Sequence, residues 1–386
     1  MSDTKPAGWY PLLLATASIG IANSVIFPLL SDLQDAYGFS SGSLGLIAGS
    51  GFFVGLVGQV LLAPLADRGH ADRLLMSGLA MAVLGSVLFA SASSLPWLVV
   101  ARCVVGLSNS LFLPAARAIV ISVSERNVAR RLGTLSGVEL AGFVTGPVIG
   151  GLLAGPLGVR VPFLVAGLVP LGGMVLLANR DLPQPPTVES NRLAFDLLRL
   201  PGIRSGILMA VALFLPVGFY DAVLDRYLTD LGAPNWLIGL SFLAYGLPFA
   251  LLSTTGGRLA DRHGALRIAA IAAMFVAPLT IVYGFLRSAE LIVVLSALEG
   301  AIQALGVPAA TALVARAAPV GRAAAAQGLS GASSLLAGAS TAYMAGGLYG
   351  SAGPRWMFAI AGSGVLLLTA AAVLQRRAMR TAAAPG

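Results

Sequence analysis

The sequence predicts an all-α integral membrane protein, with twelve transmembrane helices in two pseudo-symmetric six-helix bundles. Three observations predict it. Of the 386 residues, 57% are apolar and only 10% are charged, whereas a soluble domain is about 25% charged. The chain divides into twelve apolar runs, each of roughly the 20 residues that a helix needs to cross a bilayer. The second six runs repeat residues of the first six at one constant offset. This composition excludes a cytosolic enzyme, a nucleic-acid binder and a disordered chain.

The first run, near 9–31, follows a short polar stretch that holds Lys5. It is long enough to span and lacks the flanks of a cleavable signal peptide, so it is expected to remain as a span. Five more runs lie near 43–65, 74–93, 96–117, 132–154 and 158–179, each bounded by charged or Gly/Pro-bearing turns. The longest connection, Arg180 to Arg204, contains Pro183, Pro185 and Pro186 and reads as a linker. The second six runs lie near 204–226, 236–257, 267–286, 290–315, 325–349 and 353–375. The expected organisation is an N-terminal bundle over 1–179, a cytoplasmic linker over 180–203, a C-terminal bundle over 204–375 and a cytoplasmic tail over 376–386.

Charge sets the expected orientation. The net charge of +8 does not come from a basic stripe, since Lys5 is the single lysine and the 24 cations are scattered. With the N-terminus inside, four of them fall in outer loops (Arg160, Arg226, Arg287 and Arg355), Arg102 falls within a span, and nineteen lie on the inner side. Inner loops of membrane proteins carry this excess, so both termini are expected to be cytoplasmic. One cysteine, Cys103, and two histidines, His70 and His263, leave no intramolecular disulfide and no metal site to expect.

An offset of 194 residues superimposes the halves. Leu65 to Arg68 falls on Leu259 to Arg262, both reading L-A-D-R; Gly106 falls on Gly300, Pro114 on Pro308, and Leu135 to Gly137 on Leu329 to Gly331, both reading L-S-G. Many transporters are built from such duplicated bundles. On these residues the chain resembles the major facilitator superfamily over nearly its whole length. The family's loop after the second span, approximately G-x-L-A-D-R-x-G-R-K, is matched by Gly257, Leu259, Ala260, Asp261, Arg262 and Gly264. The first-half copy departs from it, with Ala63 and His70 in place of the glycines and its basic cluster reduced to Arg73.

Two further motifs resemble those of the family's drug:proton antiporter branch. Leu98 to Gly106 places Arg102 four residues before a Gly, with Val105 where a polar residue is often found. Gly142 to Gly151, G-F-V-T-G-P-V-I-G-G, matches G-x-x-x-G-P-x-x-G-G at every fixed position. Neither recurs in the second half, where Ser296 replaces Arg102 and Ser340-Thr341 replaces Gly146-Pro147. A purely structural element of a duplicated scaffold would be expected in both copies. Gly142, Gly146 and Gly150 line one stripe of a helix and let a neighbouring backbone approach closely, and Pro147 permits a kink. The resemblance implies a dry contact at this stripe that pivots during exchange; plain helix packing is the alternative.

Ionisable groups inside the hydrocarbon cost at least about 2.5–3.5 kcal/mol each, so they are the candidates for function. Glu139 in the fifth span shares the face of the glycine stripe, and Glu299 lies near the middle of the tenth span with Gln303 one turn on. Asp221 follows the Pro216-Val217-Gly218 break in the seventh span, and Arg102 lies in the outer third of the fourth. Burial disfavours the charged form of a carboxyl, which suits it to loading and releasing protons. Glu139, Glu299 and Asp221 are expected to carry proton coupling, with Arg102 as a fixed counter-charge for a nearby carboxyl. Structural pairing is the alternative for each. Many members of the branch have an acidic residue midway along the first span, where this chain has Asn23; Asp32 and Asp35 come too late.

Gating is expected at Asp67, Arg68, Asp261 and Arg262 and at the glycine stripe. Asp67 is expected either to pair with Arg117 or to sit at the positive N-terminus of the eleventh span, which resembles the family's inner latch; interfacial charges that only set topology are the alternative. A cavity between the halves is expected to be lined by Asn23, Phe27, Asn109, Phe112, Phe143, Phe219, Tyr245, Gln303 and Tyr343. Aromatic walls with few polar groups suit an amphipathic or cationic organic molecule better than a sugar.

The expected function is export of small amphipathic or cationic compounds in exchange for protons, by a monomer that needs no cofactor beyond the proton gradient and binds no nucleic acid. A proton-coupled exporter of one metabolite, such as a sugar, an amino acid or a lipid-like compound, is the alternative, and a non-transporting membrane receptor is a more remote one. Enzymatic readings lack H-E-x-x-H, G-x-S-x-G and G-x-x-x-x-G-K-[ST]. Arg in place of Lys, with abundant Ala and Gly, points to the plasma (inner) membrane of a bacterium.

Overall fold

The computed structural model describes residues 8–29, 33, 37, 38, 41–123, 127–178, 180, 182–186 and 194–382. Twelve helical segments are present among them. In the first half they are α1 (Trp9–Ser24), α2 (Ser41–Leu62), α3 (Ala71–Ser91), α4 (Leu95–Ser122), α5 (Val128–Leu157) and α6 (Val161–Leu177). The second half holds α7 (Pro201–Asp230), α8 (Asn235–His263), α9 (Ala265–Tyr283) and α10 (Ala289–Ala317). A last run, Ala323–Ala382, is interrupted at Gly353, where φ is 77°; we label its parts α11 (323–352) and α12 (354–382). Glycine takes that backbone geometry without a Cβ clash, and Pro354 then restarts the helix with no N–H to leave unpaired. Eight of the described helices are long and apolar enough to cross a membrane by length and composition.

The helix bounds refine the predicted spans. The first span was expected to run to 31, but α1 ends at Ser24 and is followed by a 3-10 turn, Phe27–Leu29. Pro28 accounts for this, because a proline disfavours α geometry at the residue before it. The second helix likewise tightens into a 3-10 segment, Ala63–Arg68, whose proline lies at its start; this turn places Asp67. Lys5, Asp32, Asp35 and residues 181 and 187–193 of the expected linker lie outside the described residues.

The described chain forms two compact units. One comprises Met1–Glu125, Val138–Leu193 and Val320–Gly328, and the other Arg126–Gly137, Ala194–Pro319 and Leu329–Gly386. The linker thus separates the units in sequence, while the first turns of α5 belong with the second unit and those of α11 with the first. Within the first unit α4 packs against α1, α2 and α3; within the second, α10 packs against α7, α8 and α9 in the same pattern. The duplication seen in the sequence is a duplication of helix packing.

Close approach explains the glycine stripe of α5. A Cβ at Gly142 would overlap the Ala17 carbonyl of α1, and one at Gly146 would overlap the Ser24 hydroxyl and lie 2.8 Å from the Ile21 carbonyl. Contacts this short leave no room to repack, since α1 offers backbone at both points. Gly142→Val is therefore expected to lower stability by about 1–3 kcal/mol, read as a lower melting temperature of the purified protein, whereas Gly151→Val, with open space at its Cβ, is expected to change it little.

Candidate functional site

Four groups of charged or polar side chains sit inside the units. The first pair closes helix ends. Asp67, 2% exposed, accepts the backbone N–H groups of Ala324 and Ala325 at 2.8 Å each, at the N-terminus of α11. The first four N–H groups of a helix lack partners within it, and a carboxylate meets both that need and the helix dipole. Asp261 repeats the arrangement on α5, accepting from Ala129 at 3.1 Å and Arg130 at 2.9 Å, and also pairs with Arg316 at 2.6 Å. Of the two positions expected for Asp67, the structure places it at the eleventh span; Arg117 is engaged elsewhere. Arg68 lies in the same 3-10 segment and Arg262 is exposed in the last turn of α8.

The second group is that partner of Arg117. Its Nη2 lies 3.4 Å from Glu139 Oε2, with both side chains partly accessible. Glu139 belongs to the α5 face that meets α1, where its carbonyl abuts Gly20. This pair joins α4 to α5 across the opening of the glycine stripe.

Arg102 is the third. It was expected to offset a carboxyl, and among the described residues none reaches it. Its Nη1 instead donates to the Asn23 carbonyl at 2.7 Å and to Asn23 Oδ1 at 3.3 Å, and its guanidinium carbon lies 5.3 Å from the centre of the Phe27 ring. Asn23 is in the last turn of α1, whose final carbonyls have no helical partner. The buried cation therefore satisfies a helix C-terminus, the mirror image of what Asp67 does. Phe27 in turn lies 5.7 Å from Phe143.

The fourth group surrounds Glu299, which is 1% exposed. Tyr220 Oη lies 2.9 Å from its Oε1, Tyr283 Oη lies 2.8 Å from its Oε2, and Thr280 Oγ1 is 3.0 Å from Tyr220 Oη. The geometry allows two proton arrangements. With Glu299 ionised, both phenols donate to it and Thr280 donates to Tyr220. With Glu299 protonated, it donates to Tyr220, whose own O–H turns to Thr280, while Tyr283 still donates. In the second arrangement the Thr280 hydroxyl hydrogen has no acceptor among the described residues, a deficit of about 1–3 kcal/mol, so the array shifts one proton at the expense of one hydroxyl.

This cluster is confined to one half. Residues 194 positions earlier are Ile26, Ser86, Phe89 and Val105, and the three apolar ones lie together in the hydrophobic core of the first unit. The same scaffold positions thus hold an apolar core in one copy and a hydrogen-bonded carboxyl and hydroxyl cluster in the other. Sequence reading found Glu299 but missed Tyr220, Thr280 and Tyr283 as its partners; comparing the halves at those positions would have exposed them.

The remaining candidates are dispersed. Phe112 is fully buried and its Cβ packs on Gly78 of α3, and Phe219 belongs to the core of the second unit with Tyr283 and Phe358, so both fill bundle interiors rather than a wall. Gln303 is buried one turn beyond Glu299, and its Nε2 has no partner; the same holds for Oδ1 of the half-buried Asn109. Tyr245 is half-buried with its ring 6.2 Å from Phe249, Phe143 is partly exposed, and Tyr343 is 91% exposed. Gly150 is buried and Pro147 half-buried on α5. Asp221 is helical, but its side chain lies outside the described residues.

Comparison with known proteins gives this arrangement its family. The model of the Major Facilitator Superfamily matches the chain at residues 12–224 and again at 206–385. The chain belongs to the major facilitator superfamily. Among curated relatives, the multi-drug resistance efflux pump PmrA of Streptococcus pneumoniae is 26% identical over 71% of this chain and 71% of its own. The multidrug resistance protein MdtG of Escherichia fergusonii is 28% identical over 76% of each. Among solved structures, the human organic anion transporter MFSD10 (TETRAN) superimposes with a TM-score of 0.78, covering 94% of this chain and 97% of that one at 19% identity, which shows a shared fold. The chain is thus a multi-pass membrane transporter of the facilitator superfamily and not an enzyme.

Removing the Asp67 carboxylate leaves two N–H groups of α11 without an acceptor. Asp67→Ala is expected to lower stability by about 0.5–2 kcal/mol, the range for a lost N-cap, and Asp67→Asn by less because an amide oxygen still accepts. Thermal melts of the purified variants check the order.

Proposed function

We propose that this facilitator exports small amphipathic or cationic organic compounds in exchange for protons by alternating access. The observation that carries the reading is the unequal use of the two halves: a duplicated helix scaffold in which Glu299 and its phenols form a proton-binding array that the other copy lacks. The drug-efflux names of the relatives support the substrate class, and the Arg117–Glu139 pair supplies a second carboxyl that can exchange an ionic partner for a proton. Both termini are taken as cytoplasmic and the membrane as a bacterial inner membrane, on the distribution of arginine.

The cycle follows from the contacts. Because α5 and α11 each start in one unit and continue in the other, a change of access has to free their first turns from Asp261 and Asp67. Each release strands two N–H groups and a carboxylate until water reaches them, so it is unfavourable unless something else is gained. Protonation of Glu139 would free Arg117 and loosen α4 from α5 beside the glycine stripe. Protonation of Glu299 would turn the Tyr220 hydroxyl toward Thr280. In this reading the proton is the cargo that drives the change, with no cofactor.

Proteoliposomes containing a pH dye and challenged with cationic and neutral drugs test this. Wild-type protein is expected to move protons when drug is added, Glu299→Gln to abolish that flux, and Thr280→Val to slow it because the second proton arrangement loses its acceptor. Unchanged drug-driven flux in Glu299→Gln together with Glu139→Gln would overturn the coupling assignment, and flux with a single metabolite but no drug would overturn the substrate class.

A further inference from the structure

The second unit carries a cavity of about 340 Å³ that the transport reading does not use, at the ends of α9 and α12. Tyr227, Leu231, the segment Gly284 to Arg287 and the segment Ala352 to Trp356 line it. Its volume falls in the range of small-ligand sites, about 300–1,000 Å³. The Tyr227 hydroxyl fixes one wall, lying 2.8 Å from the Tyr283 carbonyl and 2.7 Å from that of Leu286. The helix break at Gly353 forms the opposite wall.

Two arginines stand on the rim. Arg287 and Arg355 are both exposed, and neither forms an ion pair with a described residue. The Arg355 guanidinium carbon lies 5.7 Å from the centre of the Phe285 ring. The nearby acids are directed elsewhere: the Glu290 carboxylate accepts from Ser288 at 2.8 Å and that of Asp230 from Tyr349 at 2.6 Å. On the topology above, these are two of only four cations in the outer loops, where basic residues are scarce. Two of that small set meet at one cavity, and among the described residues no acid forms an ion pair with either.

The apolar surroundings say where the missing anion comes from. Phe285 is 57% and Trp356 66% exposed, and exposed aromatic rings at span ends belong to the headgroup level of a bilayer. Val282 on α9 and Ile360 on α12, about one turn away, are exposed as well, and suit hydrocarbon rather than water. We infer that this cavity binds the phosphodiester headgroup of an anionic glycerophospholipid, held between Arg287 and Arg355, with its acyl chains on the apolar surface beside Phe285 and Trp356. The guanidinium pair supplies bidentate donors to phosphate oxygens. A lipid seated there bridges α9 to the start of α12.

Native mass spectrometry of the full chain, with phosphatidylglycerol and phosphatidylcholine offered in equal amounts, tests the site. Wild-type protein is expected to retain phosphatidylglycerol preferentially. Arg287→Gln or Arg355→Gln is expected to weaken that retention about fivefold, equivalent to about 1 kcal/mol for one arginine near a headgroup, and the double substitution to erase the preference. Arg160→Gln, in the turn between α5 and α6, is the control and is expected to leave it intact. In a variant whose only tryptophan is Trp356, brominated phosphatidylglycerol is expected to quench fluorescence more strongly than brominated phosphatidylcholine. Equal retention of both lipids by wild type, or an unchanged preference in the double variant, would overturn the proposal. Displacement of the lipid by millimolar inorganic phosphate would overturn it in favour of a soluble anion. None of these outcomes depends on proton-coupled transport.

Discussion

A charge inside a helical membrane protein must find its partner within the protein, and here helix ends supply most of the partners. Asp67 and Asp261 each accept two backbone N–H groups at the starts of α11 and α5. Arg102 donates to a carbonyl in the last turn of α1. A helix terminus is a fixed partial charge that needs a partner anyway, so joining it to a buried side chain resolves two deficits in one contact. It also makes that contact all-or-none, because separation exposes both deficits together. The contacts therefore favour discrete states over gradual sliding, which is the behaviour that alternating access requires.

The two charges that do not use helix ends are the ones suited to exchange protons. Glu139 faces a cation at 3.4 Å with both side chains partly accessible, and Glu299 is held by the hydroxyls of Tyr220 and Tyr283. A phenol or alcohol can reverse its hydrogen bond, while a backbone N–H cannot. Reversibility thus separates Glu299 from Asp67 and Asp261 more clearly than burial does, since Asp67 is nearly as buried as Glu299. The apolar residues at the corresponding positions of the first unit show that the scaffold packs equally well without this polarity.

Much of the fold was legible because hydrophobic runs, the 194-residue offset and glycines spaced by four are properties of side chains in order along the chain. The partners of the charged residues were not. Ala324 and Ala129 bond through their backbones, which no residue type announces, so the sequence offered two positions for Asp67 and could not choose. Tyr283, at the end of α9, is sixteen residues from Glu299, and nothing in the order of residues joins the two. Phe112 and Phe219 were taken for cavity walls because a phenylalanine within an apolar span gives no sign of which way it faces, and both turned out to fill bundle cores. Tyr343, by contrast, stands almost wholly exposed.

Asn23 shows what a single change at a helix end does to the charge plan. An acid at that position would stand within reach of the guanidinium, which already lies 3.3 Å from the Asn23 side-chain oxygen, and would form a titratable ion pair inside the first unit. With an amide there, Arg102 meets no carboxyl among the described residues and serves the carbonyl of α1 instead. The first unit then holds Arg102 beside Phe27 with no carboxyl next to it among the described residues, while its Glu139 pairs with Arg117 on the same α5 helix whose first turns Asp261 holds. Glu139 and the turns held by Asp261 thus lie on one continuous helix, α5, both on the N-terminal side of Pro147.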